Sequence, residues 1–269
     1  MKPGKDPVIV IVFIVLALGF YLYTKLPERK GEEAYFNVAD VIDGDTIVID
    51  DGKGTLVRYV GIDTPEMARQ DSPGDPFSEE ATELNRKLVG GKRVRLEYDR
   101  ERYDVYGRTL AYVFADGVSV GEELLRSGLA LPLFIEPNGK YKEPFYAAAE
   151  EAKREKRGMW GDLDNIAAPE ANSAFVIDAE DAPRYEGKRM VVRGEITGVR
   201  QSDKALVLSI DGKFDAVIFP EDLGNFAFFG IDPAAYYKGR NVEVTGRIKM
   251  YKGTPEIILS HPMLIRRKG

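Results

Sequence analysis

Val41-Ile42-Asp43-Gly44-Asp45-Thr46 and Arg58-Tyr59-Val60-Gly61-Ile62-Asp63-Thr64-Pro65-Glu66 decide the reading of this chain. Between them runs Ile47-Val48-Ile49-Asp50-Asp51-Gly52-Lys53-Gly54-Thr55-Leu56-Val57, two apolar stretches around Asp51-Gly52. An Asp-Gly pair between two apolar runs signals a β-hairpin. A hairpin folds its ends together, so Asp43 and Asp45 are expected close to Asp63 and Glu66. Carboxylates crowded at one strand end repel one another unless a cation sits among them. The stretch therefore predicts a metal site with Arg58 beside it, suited to a phosphate ester.

Composition narrows the chemistry. The 269 residues have room for one large or two small domains. With no cysteine, disulfides, thiolate zinc sites and cysteine nucleophiles are excluded. A single histidine, His261, excludes a two-histidine metal site or a paired-histidine mechanism. Carboxylates without histidine or cysteine favour a hard, oxygen-seeking cation, Ca²⁺ or Mg²⁺. The net charge of -6 is unevenly spread. Residues 35–182 carry 18 Lys/Arg and 30 Asp/Glu, whereas residues 183–269 carry 15 and 10, giving -12 and +5. A polyanionic ligand is better received by the second region.

Residues 8–23, VIVIVFIVLALGFYLY, are uninterrupted by charge. The run is short for a typical span of about 20 residues, although its flanks extend it. No small-x-small cleavage pattern follows Gly19. An N-terminal transmembrane helix acting as an uncleaved anchor is therefore expected, with secretion the outcome if the segment is cleaved. Residues 25–34 then form a tether.

Beyond the tether the chain alternates mainly β with helices, an α+β pattern. Strands are expected at Phe36–Ile42, Thr46–Ile49, Leu56–Val60, Val94–Tyr98 and Thr109–Phe114. Helices are expected at Phe77–Val89, capped by Asp75 or Ser78, at Val120–Ser127 and at Phe145–Arg157. Residues 164–182 read as a linker between a domain at 35–163 and another at 183–269. The latter offers five strands, at Met190–Ile196, Ala205–Ile210, Asp215–Phe219, Asn241–Met250 and Glu256–Ser260. Pro220–Tyr237 holds a helical insert between the third and fourth, the layout of an OB-type β-barrel. Phe214, Phe219, Tyr251 and Lys252 interleave rings and charge there, which suits barrel packing as well as base stacking beside phosphate contacts.

Hydrolysis of a phosphodiester builds negative charge in the transition state, which fixed guanidinium groups stabilise. Arg58 leads into Asp63, and Arg108 follows Asp104-Val105-Tyr106-Gly107. Two arginines, a metal and one spare carboxylate as general base complete a site for this reaction. In order, Asp43-Gly44-Asp45-Thr46, Arg58-x4-Asp63-Thr64-Pro65-Glu66 and Asp104-x-Tyr106-Gly107-Arg108 resemble the staphylococcal nuclease family. The resemblance continues through Leu110–Gly117, Leu125–Ala130 and Gly158-Met159-Trp160.

That resemblance implies an OB-type five-stranded barrel with three helices, acting on DNA and RNA. It implies Asp45 and Asp63 as Ca²⁺ ligands with the Thr64 main-chain carbonyl, and Glu66 as the residue that orients or deprotonates water. Arg58 and Arg108 become phosphate clamps, Tyr106 a substrate contact, and Asp43 a support of the metal site. The family pattern has a lysine where Val105 stands. Its pocket tyrosines are replaced by Phe134 and Glu136. The expectation is a Ca²⁺-dependent nuclease, monomeric and without a protein partner, its catalytic part extracytoplasmic. A non-catalytic scaffold that binds nucleic acid or protein through its two barrels is the alternative.

Overall fold

The computed structural model describes residues 33–161, 163 and 173–268. The apolar segment at residues 8–23 lies outside them. Among the described residues no helix is long and apolar enough to cross a membrane.

The hairpin forms as its sequence requires. Strands β1 (Glu33–Val41), β2 (Thr46–Asp50) and β3 (Thr55–Tyr59) pair antiparallel in succession. Asp51 nucleates the β2–β3 turn, accepting the Lys53 N–H at 2.9 Å and the Thr55 hydroxyl at 2.6 Å. Gly52 and Gly54 take positive φ there, at 76° and 70°, as only glycine does without strain.

A five-stranded barrel closes around this hairpin. Strand β5 (Arg93–Glu97) pairs with β1, and β6 (Thr109–Ala115) pairs with β5. Parallel pairing of β3 with β6 joins the ends and sets Arg58 opposite Leu110. Inward positions alternate along each strand, so Ile47, Ile49, Val57, Val94, Leu96 and Ala111 are all buried in one core. Each of the valine, leucine and isoleucine side chains among them contributes about 1.5–3 kcal/mol on leaving water. The short strand β4 (Gly61–Asp63) leaves the barrel and pairs with β8 (Leu131–Leu133), placing Asp63 opposite Leu131. Strand β7 (Val118–Ser119) closes a turn on β6.

Three helices cover the barrel: α1 (Ser78–Val89), α2 (Val120–Arg126) and α3 (Lys142–Arg154). Helix α3 begins three residues before the expected Phe145 and buries Phe145, Ala148, Ala149 and Ala152. Helix α1 starts differently from the sequence reading. Its N-cap is Phe77 in a left-handed conformation, with no side-chain cap. Asp75 does not cap it, because its carboxylate is engaged elsewhere.

The C-terminal sheet has the strand order β14-β15-β12-β11-β10-β13-β16, with β9 beside β10. Its members are β9 (Val176–Asp178), β10 (Arg189–Gln201), β11 (Leu206–Ile210), β12 (Phe214–Ile218), β13 (Asn241–Arg247), β14 (Lys249–Tyr251), β15 (Thr254–Ile258) and β16 (Ile265–Arg267). Helices α4 (Leu223–Phe228) and α5 (Pro233–Tyr237) lie between β12 and β13, as expected, and β12 pairs parallel with β15. The arrangement is compatible with an OB-type barrel. Three differences arise. Residues 176–178 form strand β9 within the expected linker, the long strand expected at 241–250 breaks at the buried Ile248, and Ile265–Arg267 adds strand β16 after the last expected strand. Phe214 is fully buried among the strands, so it packs the core and offers no stacking surface, whereas Tyr251 is exposed.

A small apolar cluster ties the two parts together. Trp160 stacks on Phe229 at 6.2 Å and meets His261 edge-on at 4.9 Å. His261 is completely buried, and burial drops its imidazole to about 3, so it stays neutral and structural.

Candidate active site

Asp43-Gly44-Asp45 turns back sharply between β1 and β2. Gly44 is required there, since a Cβ would lie 2.7 Å from the Thr64 hydroxyl oxygen and 2.9 Å from Ala81 Cβ. The turn is held by a bond of its own and by helix α1. The Asp45 N–H donates to Asp43 Oδ1 at 3.2 Å. The Asn85 amide of α1 donates to the Asp43 carbonyl at 2.8 Å, while its oxygen accepts the Tyr59 hydroxyl at 2.8 Å. Asp45 itself is 1% exposed.

Asp45 joins the two motifs. Its Oδ2 accepts both the Thr64 N–H and the Thr64 hydroxyl at 2.8 Å, and its Oδ1 accepts the Thr46 hydroxyl at 3.1 Å. Arg58 completes the set. Its guanidinium contacts Asp45 Oδ1 and donates to Asp63 Oδ1 at 2.6 Å and the Ile62 carbonyl at 3.3 Å. One cation thus bridges a buried carboxylate and the half-exposed Asp63.

The second arginine arrives through barrel closure. Arg108 immediately precedes Thr109, which pairs with Val57, so it enters one strand over from Arg58. Asp104 orients it, accepting the Arg108 Nε–H at 2.6 Å and the Arg108 N–H at 2.9 Å. Gly107, at φ 80°, makes that turn. Despite burial, the bonds from Arg108 hold the Asp104 carboxyl below the usual range. Tyr106 stands 81% exposed at the lip, its ring 5.7 Å from the Arg108 guanidinium carbon.

Asp43, Asp63, Thr64, Glu66, Tyr106, Arg58 and Arg108 all line one cleft of about 660 Å³. Burial pushes the Asp43 carboxyl upward, opposed by Arg58, Thr46, Arg69 and Arg108. The expected crowding of four carboxylates around one point is not what forms. Arg58 stands between Asp45 and Asp63, Asp43 faces Arg69 at 3.9 Å, and Glu66 is exposed. Among the described residues no three acidic or histidine side chains converge as a metal cage. The physical reason is repulsion: the guanidinium neutralises the pair and separates it. The donor chemistry still suits a hard divalent ion, because Asp45 and Asp63 offer only oxygen and already hold one cation between them.

Several residues of the cleft carry no local signal in the sequence. Asp75 accepts the Glu66 N–H at 3.0 Å, and its other oxygen pairs with Arg189 of β10. Burial pushes the Asp75 carboxyl up, and Arg189 opposes the shift. Arg247 and Lys249 complete the C-terminal wall. Phe134, expected at a nucleotide pocket, instead covers Gly61 and stacks on Tyr146 at 6.0 Å.

A barrel end that sets two arginines and a carboxylate-rich turn on one cleft defines a hydrolytic nuclease. Comparison with known proteins agrees. The family model described as Staphylococcal nuclease homologue matches residues 56–162. The thermonuclease of Staphylococcus hyicus is 37% identical over 167 residues, covering 60% of this chain and 99% of that protein. The thermonuclease of Staphylococcus intermedius is 39% identical over the same coverage. Endonuclease YncB of Bacillus subtilis (strain 168) is 44% identical over 139 residues, 50% of this chain and 66% of that protein. The chain belongs to the staphylococcal nuclease homologue family.

Proposed function

We propose that the protein is a Ca²⁺-dependent endonuclease that hydrolyses phosphodiester bonds in DNA and RNA. The observation that carries this reading is the convergence of Arg58, Arg108 and Glu66 on the cleft beside Asp45 and Asp63. Asp45, Asp63 and the Thr64 carbonyl would hold the calcium, with Asp43 supporting them. A bound calcium supplies charge neutralisation and polarisation of a phosphoryl oxygen. The remaining steps belong to the chain's own side chains. The Glu66 carboxylate accepts a proton from water as the water oxygen bonds to phosphorus. The P–O bond to the leaving sugar oxygen breaks in line with that attack, and that oxygen takes up a proton from solvent water. Arg58 and Arg108 donate to the non-bridging oxygens, whose charge grows in the transition state. Tyr106 is placed to meet the substrate at the cleft mouth.

The scaffold alternative is less well supported, since the chain retains both arginines and every carboxylate of the motif. Glu66→Gln and Arg108→Ala should each lower kcat on single-stranded DNA by roughly 10²–10⁴-fold, with thermal unfolding little changed. Wild-type rates in either variant would remove these assignments.

The C-terminal sheet supplies electrostatic grip in this reading. Arg247 and Lys249 sit two residues apart on the cleft wall, and both are exposed. Arg247 donates to the Gly187 carbonyl at 2.6 Å, and Lys249 lies opposite Glu256 on the neighbouring strand. Exposed Tyr251 remains available to a base. In the Glu66→Gln background, Arg247→Gln with Lys249→Gln should flatten the salt dependence of single-stranded DNA binding. The log–log slope should fall by about 1.4, two charges at about 0.7 each. An unchanged slope argues that the strand lies elsewhere.

Residues 8–23 fit a membrane anchor with the catalytic part outside the cytoplasm, and the enzyme acts as a monomer. Full-length protein should sediment with membranes through a high-salt wash, and a chain lacking residues 1–34 should not. Full-length protein in the soluble fraction argues against the anchor.

A further inference from the structure

The loop bearing Glu66 is held by a residue whose own partner comes from the C-terminal sheet. The Asp75 N–H donates to the Glu66 carbonyl at 2.8 Å, and Asp75 Oδ2 accepts the Glu66 N–H at 3.0 Å. Both main-chain polar groups of Glu66 therefore end on one residue. Asp75 sits just ahead of α1, where its carbonyl accepts the Ser78 hydroxyl at 2.8 Å. This couples the loop to the helix that also holds the Asp43 turn through Asn85. The second carboxylate oxygen of Asp75 meets the Arg189 guanidinium, 114 positions along the chain. The two side chains are 5% and 12% exposed. A buried carboxylate keeps its charge and its orientation only with a counter-charge at hand. Arg189 is that counter-charge, fixed at the start of β10 by pairing with Arg247 of β13.

We infer that Arg189 is a positioning residue for Glu66, acting through Asp75, so that the C-terminal sheet is part of the catalytic unit and not only a binding module. The inference rests on reading Glu66 as the residue that takes the proton from water. The geometry acts on where the Glu66 carboxylate enters the cleft, and a small displacement of a catalytic group is costly in rate. The effect belongs in kcat. Substrate grip, supplied by the exposed cations of the C-terminal wall, belongs in KM.

The test uses the full chain with Arg189→Met, Arg189→Lys, Asp75→Asn and the Arg189→Met/Asp75→Asn double variant. The double variant removes both charges and so avoids an unpaired buried carboxylate that by itself unfolds the protein. Single-stranded DNA cleavage and amide hydrogen exchange are both measured. Arg189→Met should lower kcat about tenfold or more with KM within about twofold. Arg189→Lys should recover part of the loss, and the double variant should be no slower than the worse single variant. The Glu66 amide should exchange about tenfold faster in Arg189→Met, while Thr46–Asp50 amides keep their protection. An unchanged kcat, a loss confined to KM, or a Glu66 amide as protected as in wild type overturns the inference. If Glu66→Gln retains full activity, the reading of Glu66 fails separately, and the exchange data still decide whether Arg189 holds the loop.

Discussion

One buried carboxylate holds the site together. Asp45 receives the Thr64 N–H and hydroxyl, the Thr46 hydroxyl and the Arg58 guanidinium. Through it, the turn after β1, the strand β3 and the loop after β4 become one rigid corner. A charge removed from water persists only when fully paired, so each partner is constrained by the same oxygen atoms. Gly44 lets the turn approach Thr64 closely enough for those bonds to form. The Arg58 guanidinium is held on Asp45 and Asp63 in this arrangement, so the proposed calcium ion would displace it from them toward the substrate.

The electrostatic problem posed by an acidic catalytic region is met by division of space. Residues 35–182 carry 12 excess negative charges, yet the cleft floor presents Arg58 and Arg108. The opposite wall belongs to the basic C-terminal sheet and contributes Arg247 and Lys249 as exposed cations, whereas Arg189 is held by Asp75. The contact around Trp160, Phe229 and His261 fixes that wall. A polyanion thus meets positive charge on two sides of the cleft, whereas the outer surface of the first barrel repels it.

The sequence revealed what depends on short-range pattern. The β2–β3 hairpin, the three helices and the ordered Asp, Arg and Glu motifs all lie within windows of a few residues, and they are found where expected. The expected carboxylate cluster took another form, because the side chain of Arg58 reaches back between Asp45 and Asp63 rather than standing beside them. Asp75 illustrates a different limit. Next to a helix start it reads as a cap, but a tertiary partner 114 residues away outbids that local role. Nothing in the pattern around Arg189 or Lys249 separates a cleft cation from an ordinary exposed strand residue. Strand β9 was equally hidden, since three residues of parallel pairing to β10 leave no periodic trace.

In the proposed function this corner works with a bound calcium ion. The most direct measurement is the rate of single-stranded DNA cleavage by residues 30–269 across EGTA-buffered free Ca²⁺, with Mg²⁺ held in excess. Cleavage should rise with free Ca²⁺, saturate, and be lost in Asp45→Asn. Full cleavage in excess EGTA with Mg²⁺ present would contradict it.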